Sequence, residues 1–130
     1  MIKVYQTEFS TPKKGGEIRS RGNCFGACIA SIFERRSDQV PRFQDLPGDG
    51  SWFRMAQEFV NSLGYKLGVV NVKDGESCPD GYLIASGPSP RGKWGHSVIY
   101  FDGKMVHDPH PVGDGLLRVD YYLTLTPIKD

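Results

Sequence analysis

Asn23–Arg36, NCFGACIASIFERR, reads as the first helix of the chain. Phe25, Cys28, Ile29, Ile32 and Phe33 recur at i, i+3, i+4, i+7 and i+8, which predicts one apolar stripe on an α-helix. Asn23 is a favoured N-cap type, and Arg35 and Arg36 suit the negative end of the helix dipole. The remaining positions carry Gly26, Ala27, Ala30 and Ser31, small enough for a neighbouring element to approach closely. On this reading Cys24 opens the helix.

Upstream, Ile2–Phe9 (IKVYQTEF) alternates weakly and reads as a short strand, and Thr11–Gly22 is polar and Gly-rich, hence a loop. Downstream, Val40–Gly50 reads as a loop and Ser51–Leu63 as a second helix. Ser51 is its expected cap, Trp52, Ala56, Phe59, Val60 and Leu63 its stripe, and Gly64 its stop. Tyr65–Val72, Tyr82–Ser86, Gly95–Phe101, Lys104–Asp108 and Arg118–Thr126 read as strands, and Asp102-Gly103 is a strong hairpin signal. Helices first and a mostly antiparallel sheet after them make an α+β layout. A chain of 130 residues, 38% hydrophobic, suits one domain over residues 1–130.

Composition excludes several classes. Plentiful apolar residues and balanced charge argue against disorder. A formal net charge of +1 gives no electrostatic case for nucleic acid. Residues 1–42 hold eight Lys/Arg against four Asp/Glu, a bias read as a solvated basic face. No stretch approaches the ~20 apolar residues of a membrane span, and Met1–Ser10 lacks a signal peptide's apolar run, so the cytosol is the expected compartment. Three cysteines, an odd number, make a disulfide framework improbable there.

The chemistry-bearing residues lie far apart in sequence. A thiol at a helix start meets the positive end of the dipole, a setting that favours the nucleophilic thiolate, and this singles out Cys24. Cys28 falls in the apolar stripe, where a structural thiol belongs, and Cys78 receives no role. His96 lies in Lys93–Tyr100 (KWGHSVIY), and Asp108 follows across the hairpin. A two-residue turn would set His96 opposite Pro109 and Asp108 on the other face. A three-residue loop, Phe101-Asp102-Gly103, with a left-handed Gly103 bulge, pairs 96 with 108, 98 with 106 and 100 with 104. That register is preferred, because it lets a carboxylate orient the imidazole. His107 and His110 have no regular spacing with a third ligand, so no metal or other cofactor is expected.

Cys at a helix start, His on a strand and Asp at the next strand form an ordered set. With Gly22–Ser31 (GNCFGACIAS), Val40–Phe43 (VPRF), Trp94–Val98 (WGHSV) and Val106–Pro109 (VHDP), the chain resembles the papain-like cysteine peptidase superfamily. The resemblance is to small bacterial and phage members such as bacteriocin-processing leader peptidases. It covers most of Gly22–Pro109. It implies a papain-like fold, Cys24 as nucleophile, His96 as general base and acid, and Asp108 as the orienting residue. It also implies a Gln shortly before the Cys for the oxyanion hole. No Gln occurs in Glu17–Asn23, and Gln6 is the upstream candidate, beside the Cys24 backbone N–H. Asn23 and Trp94 are expected along the substrate cleft, with Gly87–Lys93 at its border. The expected function is hydrolysis of an amide, peptide or isopeptide bond in a peptide or protein substrate. A catalytically inactive binding or inhibitory module and a metal-binding thiol/histidine protein are the alternatives.

Overall fold

A computed structural model describes residues 1–12, 18–20, 22–46, 50–72 and 77–128. Helix α1 spans Cys24–Ile32 and α2 spans Ser51–Ser62. A small pair joins β1 (Thr11–Pro12) to β2 (Ile18–Ser20), so the expected Thr11–Gly22 loop carries a short antiparallel ladder. The main sheet is built from β3 (Tyr65–Asn71), β4 (Tyr82–Pro88), β5 (Gly95–Phe101), β6 (Lys104–His107) and β7 (Tyr121–Pro127). Its order is β3-β7-β4-β5-β6, with every described pairing antiparallel. The architecture is α+β, as the sequence predicts. No helix among the described residues is long and apolar enough to cross a membrane.

Both helices cover one face of the sheet. Alternation along the strands sends Leu67, Ile84, Ile99 and Leu123 toward Cys28 and Ile29 of α1, and toward Ala56 and Val60 of α2. Phe43, on a short 3-10 turn over Phe43–Asp45, fills the same core. The opposite face holds a smaller cluster of Leu83, Ala85, Val98 and Tyr122, covered partly by Cys78, Leu116 and Val119.

The small residues of α1 have the consequence the sequence suggests. Gly26 through Ser31 are all buried: Cys28 and Ile29 in the core against the sheet, Gly26 under Val40, Pro41 and Phe43, and Ser31 under the chain's first residues. Ile2 N–H donates to the Ser31 carbonyl at 3.1 Å, and Val4 N–H donates to Ser31 Oγ at 2.9 Å. This segment is therefore not the strand expected over Ile2–Phe9. It is an extended strap whose bonds go to α1 and to the 108–110 turn, with Gln6 N–H donating to the Pro109 carbonyl at 3.0 Å. A strap that bonds by single contacts and side chains leaves only a weak period-2 pattern.

Both helix starts differ from expectation. Asn23 stands at the N-cap position of α1 but makes no side-chain cap bond; its amide serves the strap instead. Gly50, in the left-handed region at φ +95°, holds the N-cap position of α2, so Ser51 begins the helix. Because α1 ends at Ile32, Arg35 and Arg36 lie beyond its last turn. Gly64 supplies the predicted stop at φ +87°.

Candidate active site

Three elements bring the candidate residues together. Cys24 is the first residue of α1, and α1 packs against β5, which carries His96 as its second residue. Asp108 follows directly on β6. His96 and Asp108 are buried, at 4% and 6% exposure, while Cys24 is partly exposed.

The hairpin reaches this arrangement by a route the sequence does not anticipate. Asp102 (φ +50°) and Gly103 (φ +85°) both lie in the left-handed region, the signature of a two-residue type I′ turn. Phe101 pairs with Lys104 and Tyr100 with Met105, but Ile99 pairs with His107. Val106 is thus an extra residue, a bulge inside β6 rather than at Gly103, and the pairing of 96 with 108 is replaced by an offset one. The turn alone would put His96 and Asp108 on opposite faces; the single-residue bulge restores the parity. His96 Nε2–H then donates to Asp108 Oδ1 at 2.7 Å, a carboxylate being able only to accept.

Asp108 is held from three sides. His110 N–H donates to Oδ1 at 2.9 Å and Gly115 N–H to Oδ2 at 2.8 Å. Burial pushes its carboxyl pKa up, yet the His96 bond and the two backbone donors win and hold it below the usual value. At His96, burial disfavours the charged ring. The hydrogen bonds to Asp108 and Cys24, and the charges on both, outweigh burial and raise the imidazole to about 9. With Nε2 committed to Asp108, Nδ1 is the nitrogen left for the Cys24 sulfur.

Cys28, one turn on, has no exposure, and burial pushes its thiol well above the ordinary value. His107 Nε2–H donates to the Val4 carbonyl at 2.8 Å, and its ring packs edge-on against Tyr5. His110 Nδ1 accepts from Val112 N–H. These two imidazoles hold the strap and the following turn.

The strap places Gln6 against Gly22, and Gln6 is not among the residues lining the cleft at Cys24. Asn23 Oδ1 accepts from the N–H groups of Thr7 and Glu8, each at 2.9 Å, and Arg42 grips the Glu8 carboxylate through both terminal nitrogens. Gln6 is 6% exposed, and its Nε2 donates one proton to the Glu8 carbonyl at 3.0 Å. A Cβ added at Gly22 would stand 3.1 Å from Gln6 Nε2, so glycine there lets the amide lie against the chain two residues before Cys24. Gln6 Oε1 is buried and has no hydrogen-bond partner among the described residues.

A cleft of about 840 Å3 runs across Cys24 and His96. Asn23 and Trp94 line it as expected, and so do Gly87–Ser89 and Gly92–Lys93 from the predicted border loop. Trp94 folds over Gly92, where any Cβ would stand 2.2 Å from the indole. One wall is aromatic: Phe25 meets Phe43 and Trp52 edge-on at 5.0 and 5.2 Å. Sequence reasoning missed Ser86, Ser97 and Tyr121, which also line the cleft. They come from three strands, and only the sheet register brings them together. Comparison with protein-family models, curated proteins and solved structures finds no match to this chain.

Proposed function

We propose that this protein is a papain-like cysteine hydrolase that cleaves an amide, peptide or isopeptide bond through Cys24, His96 and Asp108. The observation that carries the proposal is the imidazole of His96, held between a buried carboxylate and the thiol at the start of α1, in a cleft of about 840 Å3. Such a chain of nucleophile, base and orienting group is what thiol acyl transfer requires.

In the proposed reaction His96 Nδ1 takes the Cys24 proton, and the sulfur attacks the scissile carbonyl carbon. The Asp108 bond fixes the ring and stabilises the imidazolium. The Cys24 N–H and the second N–H of Gln6 Nε2 receive the negative charge forming on the carbonyl oxygen. The tetrahedral intermediate collapses as the C–N bond breaks, and the imidazolium proton passes to the leaving amine. Water, deprotonated by His96, then attacks the thioester; the C–S bond breaks, releasing the acid and restoring the thiol.

The test is acid-quench mass spectrometry after mixing the protein with a diverse peptide library. The expected result is cleaved peptide together with a transient acyl adduct on the Cys24 peptide, both lost in Cys24→Ala. Cleavage that survives Cys24→Ala would overturn the proposal.

A further inference from the structure

Beneath the cleft the sheet carries an unusual row. Ser86 pairs in register with Ser97 of β5 on one side and with Tyr121 of β7 on the other. Cross-strand partners share a face, so three hydroxyl side chains stand side by side. They lie on the helix-covered face, one step beyond the apolar row Leu123, Ile84 and Ile99, which belongs to the core. The core therefore ends in hydroxyls where α1 begins and the cleft opens.

Their placement sets the Tyr121 side chain on the cleft wall beside a hydrogen-bonded serine pair. Ser86 and Ser97 are buried, with Oγ atoms 2.9 Å apart, so they satisfy each other. The Ser86 hydroxyl lies within reach of the Tyr121 phenol, and Tyr121 is only partly buried on the cleft wall. Burial pushes the Tyr121 phenol up, the Ser86 bond lowers it, and the nearby Cys24 charge raises it, so the ring stays neutral at neutral pH and lies within electrostatic reach of the sulfur. The aromatic wall of Phe25, Phe43 and Trp52 and the indole of Trp94 line the same space. Of the charged side chains lining it, Asp120 accepts from Arg118 at 2.9 Å, and Lys93 is exposed.

From this juxtaposition we infer that Tyr121, set by the Ser86–Ser97 pair, is a specificity-determining residue that selects substrates placing a neutral hydrogen-bonding side chain, a carboxamide or a hydroxyl, beside the scissile bond. Ser86 and Ser97 share one hydrogen bond, and the Tyr121 phenol beside them can both donate and accept. Depending on the direction of the row, Tyr121 offers the cleft either a proton or a lone pair. A carboxamide or hydroxyl can answer both. A carboxylate can only accept and an ammonium can only donate, and each also loses hydration against aromatic walls. The inference rests on Cys24 being the nucleophile.

The test uses peptidyl acyloxymethyl ketones, which alkylate an active-site thiol, with Gln or Met, and Tyr or Phe, as the side chain next to the ketone. Inactivation rates are read as the Gln/Met and Tyr/Phe ratios, with iodoacetamide labelling of Cys24 as the measure of the thiol itself. Wild-type protein is expected to prefer the hydrogen-bonding member of each pair by about tenfold, the scale of one partly buried hydrogen bond. Tyr121→Phe should bring both ratios to about one, and Ser86→Ala, which removes the row's centre, should lower them too. Ratios near one in wild type, or ratios unchanged in both variants, would overturn the inference while leaving the hydrolase reading intact. Failure of every ketone and of iodoacetamide to label Cys24 would overturn both.

Discussion

Cys24 and Cys28 occupy the same helix, one turn apart, and differ in almost everything that governs a thiol. Cys24 stands at the first turn, partly exposed, with the His96 ring against it. Cys28 faces the sheet with no exposure, and burial makes its ionisation costly. The residue type is identical, so position along the helix accounts for the contrast in exposure and surroundings between the two thiols. Positions 24 and 28 lie on nearly the same side of the helix but about 6 Å apart along its axis, so position 28 sits over the sheet while position 24 meets the cleft at its end.

The largest effect that sharpens this contrast is removal of the exposed sulfur. Cys24→Ala should abolish turnover in a peptide-cleavage assay and leave the melting temperature close to wild type, since the side chain is not part of the core cluster. Next, His96→Ala should lower kcat/KM by about 10³ while Cys28 labelling stays slow, as removal of a general base does. Gln6→Ala should lower kcat by about 10² through loss of an oxyanion donor, yet leave iodoacetamide labelling of Cys24 unaffected, because alkylation develops no oxyanion. On the other side of the comparison, Cys28→Ala should spare activity and cost about 1 kcal/mol in urea unfolding, from a small cavity against Ile29 and the sheet. The smallest effect is a pH trend. His96 titrates at about 9 in the fold, above the unfolded value near 6.5, so its stabilising charge is complete below pH ~6.5 and lost as pH rises through 9. Urea titrations across pH 6.5–10 should show wild type losing stability relative to His96→Ala.

Much of the site was legible because local chemistry announced it. The stripe of Phe25, Cys28, Ile29, Ile32 and Phe33 located α1 and thus the start at Cys24, and Asp102-Gly103 located the hairpin. What the sequence hid is what depends on distant chain. The Val106 bulge comes from packing along the sheet and carries no residue signature, so the correct pairing of faces was reached through the wrong turn. Asn23 has the composition of a helix cap, and nothing local says that its amide will hold Thr7 and Glu8, 16 and 15 residues upstream. Ser86, Ser97 and Tyr121 are ordinary strand residues until register aligns them.

The proposed partnership with His96 belongs to the sulfur of Cys24, and not to that of Cys28 or Cys78. Time-resolved iodoacetamide labelling at pH 6–7, with each cysteine followed by peptide mass spectrometry, tests it directly. Cys24 should be modified at least about tenfold faster than the other two, as an activated thiol is, with that lead lost in His96→Ala. Equal, slow labelling of all three in wild-type protein would contradict it.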